Sequence, residues 1–399
     1  MAARALRGRV PWVADVLDGR SSSRQTPGAL AAPGGGVDQL DQALESAMAR
    51  ALELARRGPA HGPNPRVGCV LVGPDGESLG EGWHRGAGTP HAEVAALDDA
   101  RGRGASVRGA TAVVTLEPCD HTGRTGPCSR ALLDAGVSRV VIAVADPNPV
   151  AAGGAARLRA AGVDVVAGVA EEEGRAVLGP WLHAIEHGRP FVTLKLATSL
   201  DGRVAAADGS SRWITSQASR RDAHALRAQV DAIAVGSGTA VTDDPALTAR
   251  DEAGGLADHQ PLRVVVGHRQ APADGRLRGP GGELVHAATH DPHEVLALLH
   301  AREVRHLLVE GGPTIAAAFL RAGLVDEVRA YVAPVLLGAG RPAVDDLGIG
   351  SIDGALRLEP HEIRRLGPDV LIVGRPRPHD PPSGTAQTIH LIRTPSEES

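Results

Sequence analysis

A chain of 399 residues, 42 % apolar and 22 % charged, has room for two or three domains that bury their own cores without disulfide or metal staples. A net charge of −5 with two Phe, one Tyr and four Trp excludes a single-strand nucleic-acid groove, which needs cationic walls and stacking aromatics. Three cysteines exclude a disulfide scaffold and fit a reducing, cytoplasmic setting.

Arg4, Arg7 and Arg9 have no apolar stretch behind them, so no signal peptide is expected. No run of about 18 apolar residues marks a membrane span. Among the 42 basic residues, Lys195 is the only lysine. Residues 1–36 end in SSSRQTPGALAAPGGG and are predicted to be a disordered extension. Leu40, Ala43, Leu44, Ala47, Met48, Ala51, Leu52 and Ala55 then fall at helical spacing, closed by Gly58. VGCVLVG at 67–73 reads as a strand, as do the runs at 112–115 and 139–144, with helical patterns after His91 and after Pro127.

A boundary is expected within GPWLHAIEHGRP at 179–190. The alternation then restarts: FVTLKLA as strand, 216–230 as helix and AIAVG as strand. RVVV, HLLVE and VRAYVAP read as further strands, and a helix is expected over 313–322, with Pro at its start and Gly323 after its end. A final strand at 370–373 precedes a Pro-rich tail, residues 376–399, also expected to be disordered. Alternating helices and strands on both sides of the boundary indicate two α/β domains, 37–184 and 189–375.

The strongest chemical signal lies in the first half: Pro90-His91-Ala92-Glu93, then Pro118-Cys119, then Cys128. One His and two Cys are a zinc ligand set, and three protein ligands leave a fourth position for water, whose pKa bound zinc lowers to about 7. A carboxylate beside that water shuttles protons without ligating, and Glu93 is placed for it. Residues two apart diverge on a regular helix, so His91 must stand outside helical geometry at a helix start. His-x-Glu with Pro-Cys-x-x-Cys marks zinc nucleobase deaminases. Here eight residues separate the cysteines, so DHTGRTGP must loop out to return Cys128. Cys69, in an apolar strand, reads as a core thiol.

These residues resemble the cytidine-deaminase-like superfamily. The fuller set narrows this: NPRVGCVLV, GWHRGAGTPHAEVAAL, TLEPCDHTGRTGPC and ADPNP, followed by KLATSLDGRVA, SRWITS, DDPALTAR and VEGGPTIAAAFL. Together they resemble the bifunctional riboflavin-biosynthesis deaminase/reductase family over residues 38–374, a family in which Cys-x8-Cys is the usual spacing. The resemblance implies a cytidine-deaminase-like three-layer domain followed by a dihydrofolate-reductase-like domain. The implied reactions are deamination of a phosphorylated diaminopyrimidine and NADPH reduction of the ribosyl group of its product. Also implied are Zn²⁺ and NADPH as cofactors, no nucleic-acid or membrane partner, and a homo-oligomer.

Carried over residue by residue, the resemblance makes His91, Cys119 and Cys128 the zinc ligands and Glu93 the proton shuttle. Asn64 and His84 would line the pyrimidine and phosphate site. In the second half Lys195, Ser211, Arg227, Leu247, Arg250 and Glu310 match substrate positions, and Thr198, Trp213, Thr239, Asp243 and Gly312 match nucleotide positions. Arg227 and Arg250 suit a phosphate because a guanidinium fork can bind it bidentately. Gly311-Gly312 ahead of Pro313 would let a helix N-terminus approach a cofactor phosphate, and no GxGxxG is present to support a Rossmann-type site. Two departures stand out. VAAGGAARLRAAG after DPNP is shorter than usual, and Leu178-Gly179-Pro180-Trp181-Leu182 replaces a Leu-Asn-x-x-Phe pattern.

Overall fold

The structure, a computed structural model, describes residues 35–122 and 126–377. Of the disorder expected over 1–36 and 376–399, residues 1–34 and 378–399 lie outside the described residues, while Gly35 and Gly36 open a helix. The first unit runs α1 (Gly35–Arg57), β1 (Gly68–Val72), β2 (Ser78–Trp83), α2 (Ala92–Gly102), β3 (Thr111–Leu116), α3 (Cys128–Ala135), β4 (Arg139–Val144), α4 (Gly154–Ala160), β5 (Asp164–Ala167) and α5 (Glu171–His187). Its sheet has the order β2-β1-β3-β4-β5. The hairpin strand β1 is antiparallel to both neighbours, and β3, β4 and β5 are parallel. Helices α1 and α5 touch each other against the sheet, while α2, α3 and α4 form a second contacting row. The result is three layers.

The second unit runs β6 (Phe191–Ser199), β7 (Arg203–Ala205), α6 (Gln217–Arg227), β8 (Ala232–Gly236), α7 (Ser237–Thr242), β9 (Leu262–Val266), β10 (Leu284–Ala287), α8 (Pro292–His300), β11 (His306–Val309), α9 (Pro313–Arg321), β12 (Glu327–Ala333), β13 (Arg341–Pro342), β14 (Leu358–Leu366) and β15 (Asp369–Pro376). Eight strands form one sheet in the order β10-β9-β8-β11-β6-β12-β15-β14. The first six are parallel, and β12, β15 and β14 close the far edge antiparallel. Central strands β8 and β11 are buried along almost their whole length and, apart from His306 at the start of β11, carry no polar side chain. Val, Leu, Ile and Ala dominate the buried clusters, as the aromatic-poor composition requires.

Helix α5 runs through the boundary segment 179–190 as far as His187, interrupted at Gly179 (φ 32°, ψ −111°) beside Pro180, and ends at left-handed Gly188. One expectation needs correction. The last strand extends past residue 375 to Pro376, and Arg377 N still donates to Arg357 O at 2.9 Å. The sequence pattern does not mark strands β2, β5, β7, β10, β13 and β14. Among the described residues no helix is long and apolar enough to cross a membrane.

Candidate active sites

His91 precedes α2 in extended geometry (φ −68°, ψ 162°), and Glu93 occupies the first helical turn. This is the arrangement that lets two residues of different helical faces converge. The helix is seated by glycine. A Cβ on Gly82 of β2 would lie 2.3 Å from Ala96 N and 2.4 Å from Ala92 O, so α2 rests on strand backbone. Cys119 follows β3, and Cys128 opens α3 after Pro127. The flanks of the insert are tied together: Ser129 N donates to Cys119 O at 3.2 Å, and Ser129 Oγ donates to Asp120 Oδ1 at 2.6 Å.

Tetrahedral zinc with Zn–S of about 2.3 Å and Zn–N of about 2.0–2.1 Å sets its nitrogen and sulfur ligands about 3.6 Å apart. His91 Nδ1 lies 3.5 Å from Cys119 Sγ and 3.3 Å from Cys128 Sγ, and the three ligand atoms fall within 4.8 Å of one another. The residues fit the ion. The hydrogen bond from Cys128, followed by the one from His91, holds the Cys119 thiol down at about 4 despite its burial. Burial pushes the Glu93 carboxyl up from the ordinary carboxylate range, which suits a group that must carry a proton near neutrality. Cys69 is fully buried on β1, and burial raises its thiol well above the usual range.

His91, Glu93 and Cys119 line a cavity of about 190 Å³ that also holds Asn64 and His84. Asn64 Nδ2 lies 3.0 Å from His84 Nε2, and His84 Nδ1 lies 3.1 Å from Pro90 O. The amide can only donate and the carbonyl only accept, so His84 is neutral with its proton on Nδ1. Burial lowers its pKa accordingly. The carboxamide oxygen of Asn64 is left to accept from a ligand.

In the second unit a cavity of about 470 Å³ is lined by Lys195, Ser211, Trp213, Arg227, Asp243, Leu247 and Arg250. Glu310 sits behind it. Its carboxylate accepts from Arg227 Nε at 2.7 Å, Arg227 Nη2 at 2.8 Å and Lys195 Nζ at 3.4 Å. Despite burial, these two cations hold the carboxyl well below its ordinary range, Arg227 more than Lys195. Arg227 Nη1 also donates to Thr248 O at 3.1 Å. The fork expected to grip a phosphate is therefore committed to Glu310 and the backbone. Arg250 is exposed and donates to Gly254 O at 2.7 Å. Trp213 is 69 % exposed, with the Arg220 guanidinium 4.5 Å from its ring centre, so its indole is a cavity wall and not core packing.

The nucleotide positions divide. Trp213 and Asp243 share the cavity of Lys195, whereas Thr239 and Gly312 line a neighbouring one of about 630 Å³. There Gly312 N donates to Thr239 Oγ1 at 3.2 Å at the start of α9. Thr198, buried on β6, lines neither.

A family model for the cytidine and deoxycytidylate deaminase zinc-binding region matches residues 41–144, and one for the RibD C-terminal domain matches residues 190–372. Over 337 residues the chain is 50 % identical to riboflavin biosynthesis protein RibD of Mycobacterium tuberculosis (strain ATCC 25618 / H37Rv), a match covering 84 % of this chain and 97 % of that one. The chain belongs to the RibD family. It is 43 % identical over 361 residues to RibD of Escherichia coli (strain K12), covering 82 % of this chain and 97 % of the relative.

A crystal structure of a diaminohydroxyphosphoribosylaminopyrimidine deaminase/5-amino-6-(5-phosphoribosylamino)uracil reductase from Thermotoga maritima superposes with a TM-score of 0.77 at 32 % identity, covering 84 % of this chain and 99 % of that one. Acinetobacter baumannii RibD gives 0.76 at 37 % identity with the same coverage. The chain is thus a bifunctional riboflavin-biosynthesis enzyme, a zinc-dependent pyrimidine deaminase joined to an NADPH-dependent reductase.

Several cavity residues of this RibD chain were not singled out beforehand. Asp146 and Asn148 line the deaminase cavity from within ADPNP, a motif already noticed as a unit. Trp181 lines it from α5, its indole N–H donating to Pro63 O at 3.0 Å. Arg305 reaches it from the second unit, and no motif marks that residue. In the reductase, Arg220, His224, Arg276 and Tyr331 join the cavity wall. Only Arg220, beside the SRWITS motif, carried a local signal.

Proposed function

We propose that residues 37–184 remove the 2-amino group of 2,5-diamino-6-ribosylamino-4(3H)-pyrimidinone 5′-phosphate by hydrolysis. Residues 189–375 then reduce the ribosyl group of the product, 5-amino-6-(5-phosphoribosylamino)uracil, to ribityl. The observation that carries this reading is a zinc-fitting His-Cys-Cys triangle beside a buried carboxylate, in one chain with a Lys-Glu-Arg cluster at a second cavity.

In the first unit His91, Cys119 and Cys128 would hold zinc, which would supply an acidified water. Glu93 takes a proton from the attacking water and passes one to the departing amine, and its burial raises the carboxyl's affinity for that proton. Asn64, fixed by His84, orients the pyrimidine edge through its free carboxamide oxygen.

In the second unit NADPH supplies the hydride. Lys195 presents a compact ammonium to the sugar, steadied by Glu310, and Ser211, Leu247 and Arg250 line the substrate's path. Arg227 positions Glu310 and closes the wall behind it. Thr239 and Gly312 at the N-terminus of α9, with Trp213 and Asp243, receive the nucleotide. A cytoplasmic setting is supported by three free, buried cysteines, two of them committed to zinc. A homo-oligomer is supported by the family resemblance and is checked by light scattering after gel filtration.

The test is incubation of the enzyme with the diaminopyrimidine phosphate, with and without NADPH. Ammonia is expected in both arms and NADPH oxidation only after ammonia release. Ammonia without any subsequent NADPH oxidation would remove the second activity. Absence of ammonia, with reduction of supplied aminouracil intact, would remove the first.

A further inference from the structure

We infer that Arg305, which belongs to the reductase half, anchors the substrate's phosphate in the deaminase site. The inference rests on the deaminase reading above. Arg305 lies between α8 and β11, yet it lines the same cavity as His91, Glu93 and Cys119. Among the described residues it is the only Lys or Arg on that wall, where Glu93, Glu117 and Asp146 contribute carboxylates. A phosphate monoester entering a cavity of that composition is repelled unless a cation meets it.

Of the other nitrogen-bearing side chains described on that wall, His91 belongs to the metal triangle, His121 is an imidazole whose buried Nδ1 has no partner, and neither Asn64 nor His84 supplies a cation. Both ring nitrogens of His84 are taken and the ring is neutral. Glu117 is turned to backbone, accepting from the N–H groups of Asp146, Gly153 and Ala155. Arg305 is in the opposite state. Its guanidinium makes no hydrogen bond to the described residues, and its Nε is buried with no partner. An unpaired buried N–H is costly in the free protein, and that cost is recovered when an anionic acceptor arrives.

The backbone of Arg305 is fixed by a carboxylate that spans both units. Asp231 Oδ2 accepts from Arg305 N and from His306 N, each at 2.8 Å, while Asp231 Oδ1 accepts from Gly62 N. Gly62 leads directly into Pro63 and Asn64 on the cavity wall. Arg305 O accepts in turn from Phe191 N at 2.9 Å. Asp231 is therefore a positioning residue that sets the distance between the pyrimidine wall and the arginine.

The experiment uses the full chain with zinc bound and follows ammonia release from the diaminopyrimidine 5′-phosphate and from its dephosphorylated nucleoside. In Arg305→Ala, KM for the phosphorylated substrate is expected to rise at least about tenfold with kcat within about twofold, because one charge-assisted fork is lost from binding. KM for the nucleoside should not move. Arg305→Lys should recover part of the loss, and inorganic phosphate should inhibit the wild-type deaminase competitively while sparing the alanine variant. Reduction of separately supplied aminouracil phosphate is the control that the second unit is intact. Equal KM changes for both substrates would make Arg305 a structural wall residue and overturn the proposal. An unchanged KM would do the same. A wild-type enzyme that releases no ammonia would instead defeat the deaminase reading itself.

Discussion

Replacing Glu310 with Gln removes one negative charge from between two cations and changes little else in shape. The Glu310 side chain is 6 % exposed, and the Arg227 and Lys195 side chains are 17 % and 18 % exposed. Water therefore cannot compensate Arg227, whose Nε and Nη2 both point at this carboxylate. The amide keeps one acceptor oxygen but turns an NH₂ toward a donor. Breaking a buried pair on one side costs about 3–5 kcal/mol, and the retained acceptor places Glu310→Gln near 3 kcal/mol. For a unit of this size each kcal/mol moves Tm by about 2–4 °C, so the second unit should melt about 6–12 °C earlier.

Calorimetry of the full chain resolves this, with ammonia release at a temperature below both transitions as the control on the first unit. NADPH oxidation should fall further than stability alone explains, because Lys195 loses its partner. A shift of less than about 2 °C in the second transition would mean that the cations are already satisfied by solvent, and the cluster would not be the buried device described. Removing both charges with Arg227→Met and Glu310→Leu should restore much of the stability and none of the reduction.

Glu93→Gln should lower ammonia release by about 10²–10⁴-fold while zinc content stays at the wild-type ratio; depletion of zinc would make Glu93 a ligand. Lys195→Arg should cost at least about tenfold in NADPH oxidation, since a planar fork does not replace a compact ammonium, and leave deamination unchanged. Parallel loss of both activities would contradict that separation. His306, buried on β11 with Thr193 Oγ1 2.9 Å from its Nε2, is pushed down to about 3 from 6.5 by burial. Its contribution to stability is complete above pH 6.5 and is lost progressively as pH falls from there toward about 3. By about pH 5 the loss should be about 2 kcal/mol. Urea unfolding of His306→Asn should show a correspondingly flatter pH dependence, and an unchanged slope would remove His306 as the cause.

Zinc ligation was legible from residue types and order, because His, Cys and Cys beside a carboxylate have few other uses together. The first turn of α2 followed from physics as well, since residues two apart must leave the helix to converge. Apolar strands such as β4 and β8 announced themselves because both faces are covered. Strand β14 did not. LEPHEIRRL is an edge strand with exposed residues, a proline and a register shift between Pro360 and Glu362, so it carries no alternation to detect. Helix α5 carried no clear signal because Gly179-Pro180 interrupts its pattern, although the chain resumes helical geometry after one residue. Neither the partner of Arg227 nor the reach of Arg305 could be read, because both depend on residues more than 80 positions away.

The glycine of β2 beneath α2 has a consequence for how this enzyme drifts over evolutionary time. Where helix and strand meet through side chains, each substitution in the core shifts the helix by a fraction of its volume change. Here Gly82 meets the backbone of α2 directly, so the height of His91 above the sheet is set by main-chain contact. The aliphatic interior can exchange Val, Leu, Ile and Ala without passing the change on to the metal ligands. Tolerance in the core and rigidity at the zinc site are thereby uncoupled, with β2 as the insulating element.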